Sequence, residues 1–209
     1  MHRSIGTRTL TLLLALILSH ASVGAAGDEA RAVSIRIHDY AHIQDAELAR
    51  TQEVVSGMYG AIGVRTDWLE SLQQSDGVFD ESDARVCKPA DLMVIILTSA
   101  MANRGVIPGS IIGFAASDRG VGGRIAYVIY DRVRDIARGT LADEMRVMGI
   151  VMAHEIGHLL LTEHSHSDGG LMRGRWQPSE FRSARPSDLH FSELQAVEIR
   201  KGLDGGVAR

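Results

Sequence analysis

The chain has 209 residues, 45% of them hydrophobic and 23% charged, with a formal charge of −4 at pH 7. That is ordinary globular composition, and the length supports one domain with a real core rather than a low-complexity chain. The mildly acidic balance gives no electrostatic case for nucleic acid or an anionic membrane surface as a partner.

Arg3 and Arg8 lie ahead of or beside the apolar run LTLLLALIL, which is too short to span a bilayer comfortably. Val23 and Ala25 stand at the −3 and −1 places of a small-residue cleavage site. This predicts a secretory signal over residues 1–25, cut before Ala26, and a single domain over 26–209 that is secreted or periplasmic. Cleavage would remove two arginines and no acid, taking the charge from −4 to −6. After the cut, no stretch of membrane-span length remains. Cys87 is the sole cysteine, so no internal disulfide can form, and the core or a metal must hold the fold.

AVSIRIHDYA (32–41) alternates apolar and polar residues and predicts a half-buried strand. DAELARTQEVVSGMYGAIG follows as a helix with Leu48, Val55 and Met58 inward and Gly60 and Gly63 as stop signals. VRTDWL reads as a second strand, residues 71–90 as a polar surface loop, and DLMVIIL (91–97) as a central strand. A glycine-containing loop, ANRGVIPGS, leads to two strands, 111–117 and 124–130, whose joint DRGVGG signals a hairpin. A long helix is expected from Thr140, capped by Thr140 with Asp143 as reciprocal partner. Leu141, Met145, Met148, Met152, Ile156 and Leu159 make one narrow core stripe along it. This order of elements predicts an α+β fold with one mixed sheet, and SELQAVEIRKGL supplies a C-terminal helix.

His154 and His158 lie on that long helix about 40° apart around its axis, on the side away from the core stripe. Imidazoles so spaced can aim at one zinc ion. Glu155 is too short to join them as a ligand, and it is placed to hydrogen-bond a water on the metal. Zinc brings the pKa of such a water to about 7, and a neighbouring carboxylate can take the proton and return it to a leaving amine. This is the H-E-x-x-H arrangement, Glu155 being the candidate general base and Zn2+ the cofactor.

The stretch HEIGHLLLTEHSHSDGGLM (154–172) resembles the metzincin signature, most closely that of the matrixins. His154, Glu155, His158, His164 and Ser165 occupy the matching places, and Met172 lies at a suitable distance for the turn methionine. The resemblance implies a zincin or metzincin-like α+β fold: a mixed twisted sheet, an N-terminal helix, a long active-site helix, a Met-turn and a C-terminal helix. It also implies that His164 is the third metal ligand. One departure stands out. The pattern has glycine where this chain has Leu161, at the point where the helix must end and the chain bend, so the turn is expected at Thr162 or Glu163. Short secreted bacterial zincin-like proteins are similar in a second way, with H-E-I-G-H-L-L-L-G, three variable residues, then H-S-x-x-G-I-M-R. That pattern implies His166 as the alternative third ligand.

Weaker candidates surround the motif. Cys87 in RVCKPAD faintly resembles the thiol that plugs matrixin zinc, and a buried structural thiol is the plainer reading. Arg173 or Arg175 could face a developing oxyanion, Trp176 could wall a pocket, and Glu180 or Glu193 could replace the third histidine as a carboxylate ligand. His38, His42 and His190 receive no role. The sequence therefore points to a zinc metalloendopeptidase acting on a peptide or protein laid along an exposed sheet edge, on 111–117 or 124–130. The rival is a secreted zinc protein with a closed structural site and no peptidase activity.

Overall fold

The computed structural model describes residues 31–69, 91–116, 124–161, 166–182 and 189–205. The expected signal, the 71–90 loop with Cys87, the whole hairpin joint DRGVGG, and Thr162, Glu163, His164 and Ser165 lie outside the described residues.

Strand β1 (Ala32–Asp39) is followed by helix α1 (Asp45–Gly60), β2 (Arg65–Leu69), β3 (Asp91–Leu97) and the short helix α2 (Ser99–Arg104). Then come β4 (Gly113–Ala116), β5 (Ile125–Ile129), α3 (Tyr130–Thr140), α4 (Glu144–Leu160), α5 (Pro178–Arg182) and α6 (Glu193–Asp204). The five strands form one sheet in the order β2-β1-β3-β5-β4, parallel throughout except for β4, which runs antiparallel to β5. The apolar run of β3 is central because both of its faces are covered, which is what an unbroken run of branched residues requires. Among the described residues no helix is long and apolar enough to cross a membrane.

The hairpin strands pair antiparallel, as expected from the joint between them, and topology separates their roles. β5 is interior and β4 lies at the sheet edge, so among the described residues β4 is the one of the two strands expected to seat a substrate that has an unpaired edge.

The region before the long helix differs from expectation. A separate helix, α3, continues directly from β5 and ends at Leu141, whose backbone is left-handed (φ 54, ψ 35). Thr140 does not cap α4; its hydroxyl turns back to the carbonyl of Ile136 at 2.7 Å. The cap is Asp143, which accepts from the Arg146 amide at 2.9 Å and pairs with Arg50 at 2.8 Å. Leu141 therefore leaves the core stripe and is 86% exposed. The remaining stripe is not narrow either. Every residue from Val147 to Gly157 is buried, because α4 is packed by α1 and the sheet and also by the chain at 171–172 and 191. ANRGVIPGS likewise begins inside a helix, α2, capped by the Thr98 hydroxyl.

Helix α4 ends at Leu160. Leu161 leaves it in extended conformation (φ −98, ψ 149) and is buried. The helix thus ends just before Leu161, and the turn expected at Thr162 or Glu163 falls outside the described residues. Leucine can stand where glycine was expected because an extended departure needs no left-handed backbone.

Candidate metal centre

Helix α4 carries His154 and His158 one turn apart, and the loop after it returns His166 to the same place. One ring nitrogen from each of the three lies within 4.8 Å of the others. Ring centroids are 4.6 Å apart for His154–His158, 4.7 Å for His158–His166 and 5.4 Å for His154–His166. The returning loop is built to hold that position. The Ser167 amide donates to the Met172 carbonyl at 2.8 Å, and Arg173 Nε donates to the Asp168 carbonyl at 2.8 Å. Ser167 also bridges Arg173.

The tautomer of His154 follows from its partner. Its Nδ1 lies 2.8 Å from the Leu171 carbonyl, which can only accept, so Nδ1 carries the proton and Nε2 presents a lone pair. That Nε2 faces the Nε2 of His158 at 2.9 Å. Two nitrogens on one tetrahedral zinc stand about 3.3 Å apart, so a small spreading of the pair would admit the ion. Burial holds both imidazoles neutral, with pKa values lowered to about 4; the Leu171 contact opposes this at His154, and the neighbouring histidines add to it at His158. Neutral, clustered nitrogen donors on a partly open site suit Zn2+, and His166 is exposed where the other two are sheltered.

Glu155 is 6% exposed, and burial pushes its carboxyl up to about 8. It is set against the sheet edge. A Cβ at Gly113, the first residue of β4, would stand 2.8 Å from both Cγ and Oε1 of Glu155. Only glycine lets the edge strand come that close to this carboxylate. Met172 has a similar seat on the far side of the helix. It is fully buried, and a Cβ at Gly157 would meet its sulfur at 2.6 Å. The turn that carries Met172 also supplies the Leu171 carbonyl that orients His154.

No protein-family model matches this chain, and no curated protein matches it in sequence. Solved structures do resemble it. One is metalloproteinase-II from Bacteroides fragilis, at 14% identity and a TM-score of 0.47, covering 82% of this chain and 53% of that one. Another is an archaemetzincin from Methanopyrus kandleri, at 15% identity and a TM-score of 0.49, covering 84% of this chain and 98% of that one. The chain spans about half the length of the Bacteroides protein. At such identity neither likeness says which residues act, and neither carries the matrixin signature in particular.

The other expected residues sort by their contacts. Glu180 does not join the histidines: it pairs with Arg173 at 3.0 Å and accepts from the Gln177 amide. That pairing commits Arg173 as well, so the arginine braces the turn instead of facing an oxyanion. Glu193 pairs with Arg200 on α6. Arg175 is exposed. Trp176 sits edge-on to His154 with centroids 4.7 Å apart and against Phe181 at 5.6 Å, so it walls the cluster as a pocket residue would. His38 is buried on β1, while His42 and His190 are exposed; none belongs to the cluster. Sequence reasoning missed Gly113, Gly157 and the Leu171 carbonyl. Gly157 had a visible signal, a glycine inside a helix between two histidines, which usually marks close packing.

In the metal-free chain these buried groups make stability depend on pH. Unfolded imidazoles take up protons near pH 6.5, whereas folded His154 and His158 resist down to about 4. The unfolded chain binds more protons in that window, so stability rises with pH across it. Glu155 works oppositely: unfolded it loses its proton near 4.5, folded near 8, so stability falls as pH rises between them. Two imidazoles outweigh one carboxyl below pH 6.5, and Glu155 acts alone above it. Urea titrations of the metal-free chain should therefore show a maximum near pH 6.5 and a decline to about pH 8. The decline should vanish in Glu155→Gln; a decline that persists would assign it to another group.

Proposed function

We propose that this chain is an exported zinc-dependent endopeptidase in which His154, His158 and His166 hold the metal and Glu155 handles the proton. The observation that carries this reading is the position of Glu155, between two clustered imidazoles and directly under the edge strand β4. A purely structural metal site has no use for a buried carboxylate that leaves the ligands to others.

When bound, zinc would polarise the attacking water and the substrate carbonyl as a Lewis acid. Everything else falls to the chain. The free edge of β4 offers backbone groups to an extended peptide, which adds to the sheet as one more strand. A peptide so aligned passes over Gly113 and hence over the Glu155 carboxylate. In its ionised form, which a dication held by the neighbouring histidines would favour, Glu155 takes a proton from the water as the carbonyl is attacked and returns it to the leaving amine. The Leu171 carbonyl keeps His154 in one tautomer and one orientation, Trp176 walls the site beside that ring, and Met172 forms the floor behind Gly157. Export is supported by the basic, apolar and small-residue order of residues 1–25.

The test is metal removal and return. Chelator-treated protein should cleave none of a mixed peptide library and should regain cleavage on addition of zinc, read by mass spectrometry. Zinc uptake without cleavage of any peptide would favour a closed structural site.

A further inference from the structure

The segment that leads into the edge strand is held in a shape it would not choose. Val106 has left-handed backbone, φ 57, and its side chain is 86% exposed. A β-branched residue is sterically disfavoured there, and an exposed side chain gains no packing in return. The Val106 amide on the Asn103 carbonyl at 3.2 Å and the Ile107 amide on the Ala102 carbonyl at 3.0 Å close the helix end there, and one side chain holds the rest of the segment.

Arg132 lies on α3 and is 9% exposed. Its Nη1 donates to the Pro108 carbonyl at 2.7 Å and the Ile111 carbonyl at 2.6 Å. Its Nη2 donates to the Ile107 carbonyl at 3.1 Å and to Asn103 Oδ1 at 3.3 Å. One guanidinium thus closes on four acceptors spread along 103–111. A guanidinium's bonds are charge-assisted, and a lysine has neither the fork nor the number of donors to replace it.

The held segment ends where the site begins. Ile111 lies two residues before β4, and the Ile112 carbonyl accepts from the Ile129 amide at 2.9 Å, opening the pairing of β4 with β5. Gly113 comes next, against Glu155. Helix α3 follows β5 without an intervening residue, so Arg132 is fixed to the strand that β4 pairs with. The guanidinium therefore ties both ends of one short lever.

We propose that Arg132 is a positioning residue: by clamping 103–111 it sets the edge strand β4 over Glu155, and with it the alignment of an extended peptide at the site. It touches neither substrate nor metal. The inference rests on the peptidase reading for its functional half and on the clamp geometry alone for its structural half.

Hydrogen exchange and peptide kinetics together test it, on the purified chain and its Arg132→Lys, Val106→Gly and double variants. In Arg132→Lys, amides 111–116 should exchange at least about tenfold faster while those of β1 and β3 keep their rates, because the loss is local. KM for a peptide should rise about tenfold with kcat changed much less, since misalignment acts on binding along the strand. Adding Val106→Gly should restore part of the protection by relieving the left-handed valine. Should Arg132→Lys not fold, Asn103→Ala withdraws the longest of the four bonds and should show the same local contrast in milder form. Exchange that quickens equally in β1, β3 and β4 would make Arg132 a general stability residue and overturn the proposal; so would an unmoved KM in a chain that cleaves peptides. If the unaltered chain cleaves nothing, the peptidase reading falls, and the exchange contrast still decides whether Arg132 holds β4.

Discussion

His166→Ala should abolish zinc retention, taking the metal from about one ion per chain to none after dialysis, while His164→Ala should leave it in place. The reason is spatial. His166 is brought within 4.8 Å of the donor atoms of His154 and His158, on a loop fixed by the Ser167 amide and the Arg173 side chain. Alanine removes one of three nitrogen donors, and Glu180, the carboxylate considered as its replacement, is committed to Arg173. Loss of a ligand should cost more than loss of a supporting contact, so a weakening of at least about 100-fold is expected by competition with a chelator. Retention in His166→Ala with loss in His164→Ala would restore the spacing that the metzincin resemblance implies. Loss in both would indicate a site closed by four histidines, and with it a structural metal.

Glu155→Gln should keep the zinc and lose hydrolysis by about 10²–10⁴-fold in kcat, the range that a positioned acid–base group supplies. Glutamine preserves shape beside Gly113, so the close approach of β4 is not disturbed. It cannot accept a proton from water or pass one to the leaving amine. A variant that binds zinc as well as the parent and cleaves peptides equally well would remove Glu155 from the mechanism. A variant that loses both would show that the carboxylate matters for the metal site and would leave its catalytic role without support.

Several elements were open to the sequence because their signals are local. The β3 run DLMVIIL declared a central strand, and Ser192 with Gln195 three residues on produced a capping box at the start of α6. The hairpin strands paired as the glycine-rich joint between them implied. The start of α4 was misplaced because Thr140 and Asp143 can both cap a helix. A left-handed Leu141, which no leucine announces, breaks the chain into two helices there. Its stripe of apolar residues was real from Met145 onward, but periodicity on one helix cannot reveal that other elements will cover the remaining faces.

The sequence by itself determined the chemistry available: two imidazoles one helical turn apart, a carboxylate between them, and two further histidines within reach. Those follow from the helical repeat, which is a local property. Among the described residues, tertiary structure brings His166 to the pair, while His164 lies outside them. Leu161 leaves the helix in extended conformation, and the segment that carries His166 is held by the Ser167 amide on the Met172 carbonyl and the Leu171 amide on the His190 carbonyl, contacts that helical spacing does not contain. Tertiary structure alone also put Gly113 on Glu155 and Arg132 on the segment before it. Their sequence separations of 42 and 21 residues are bridged by sheet order and helix packing, which no window of the chain contains.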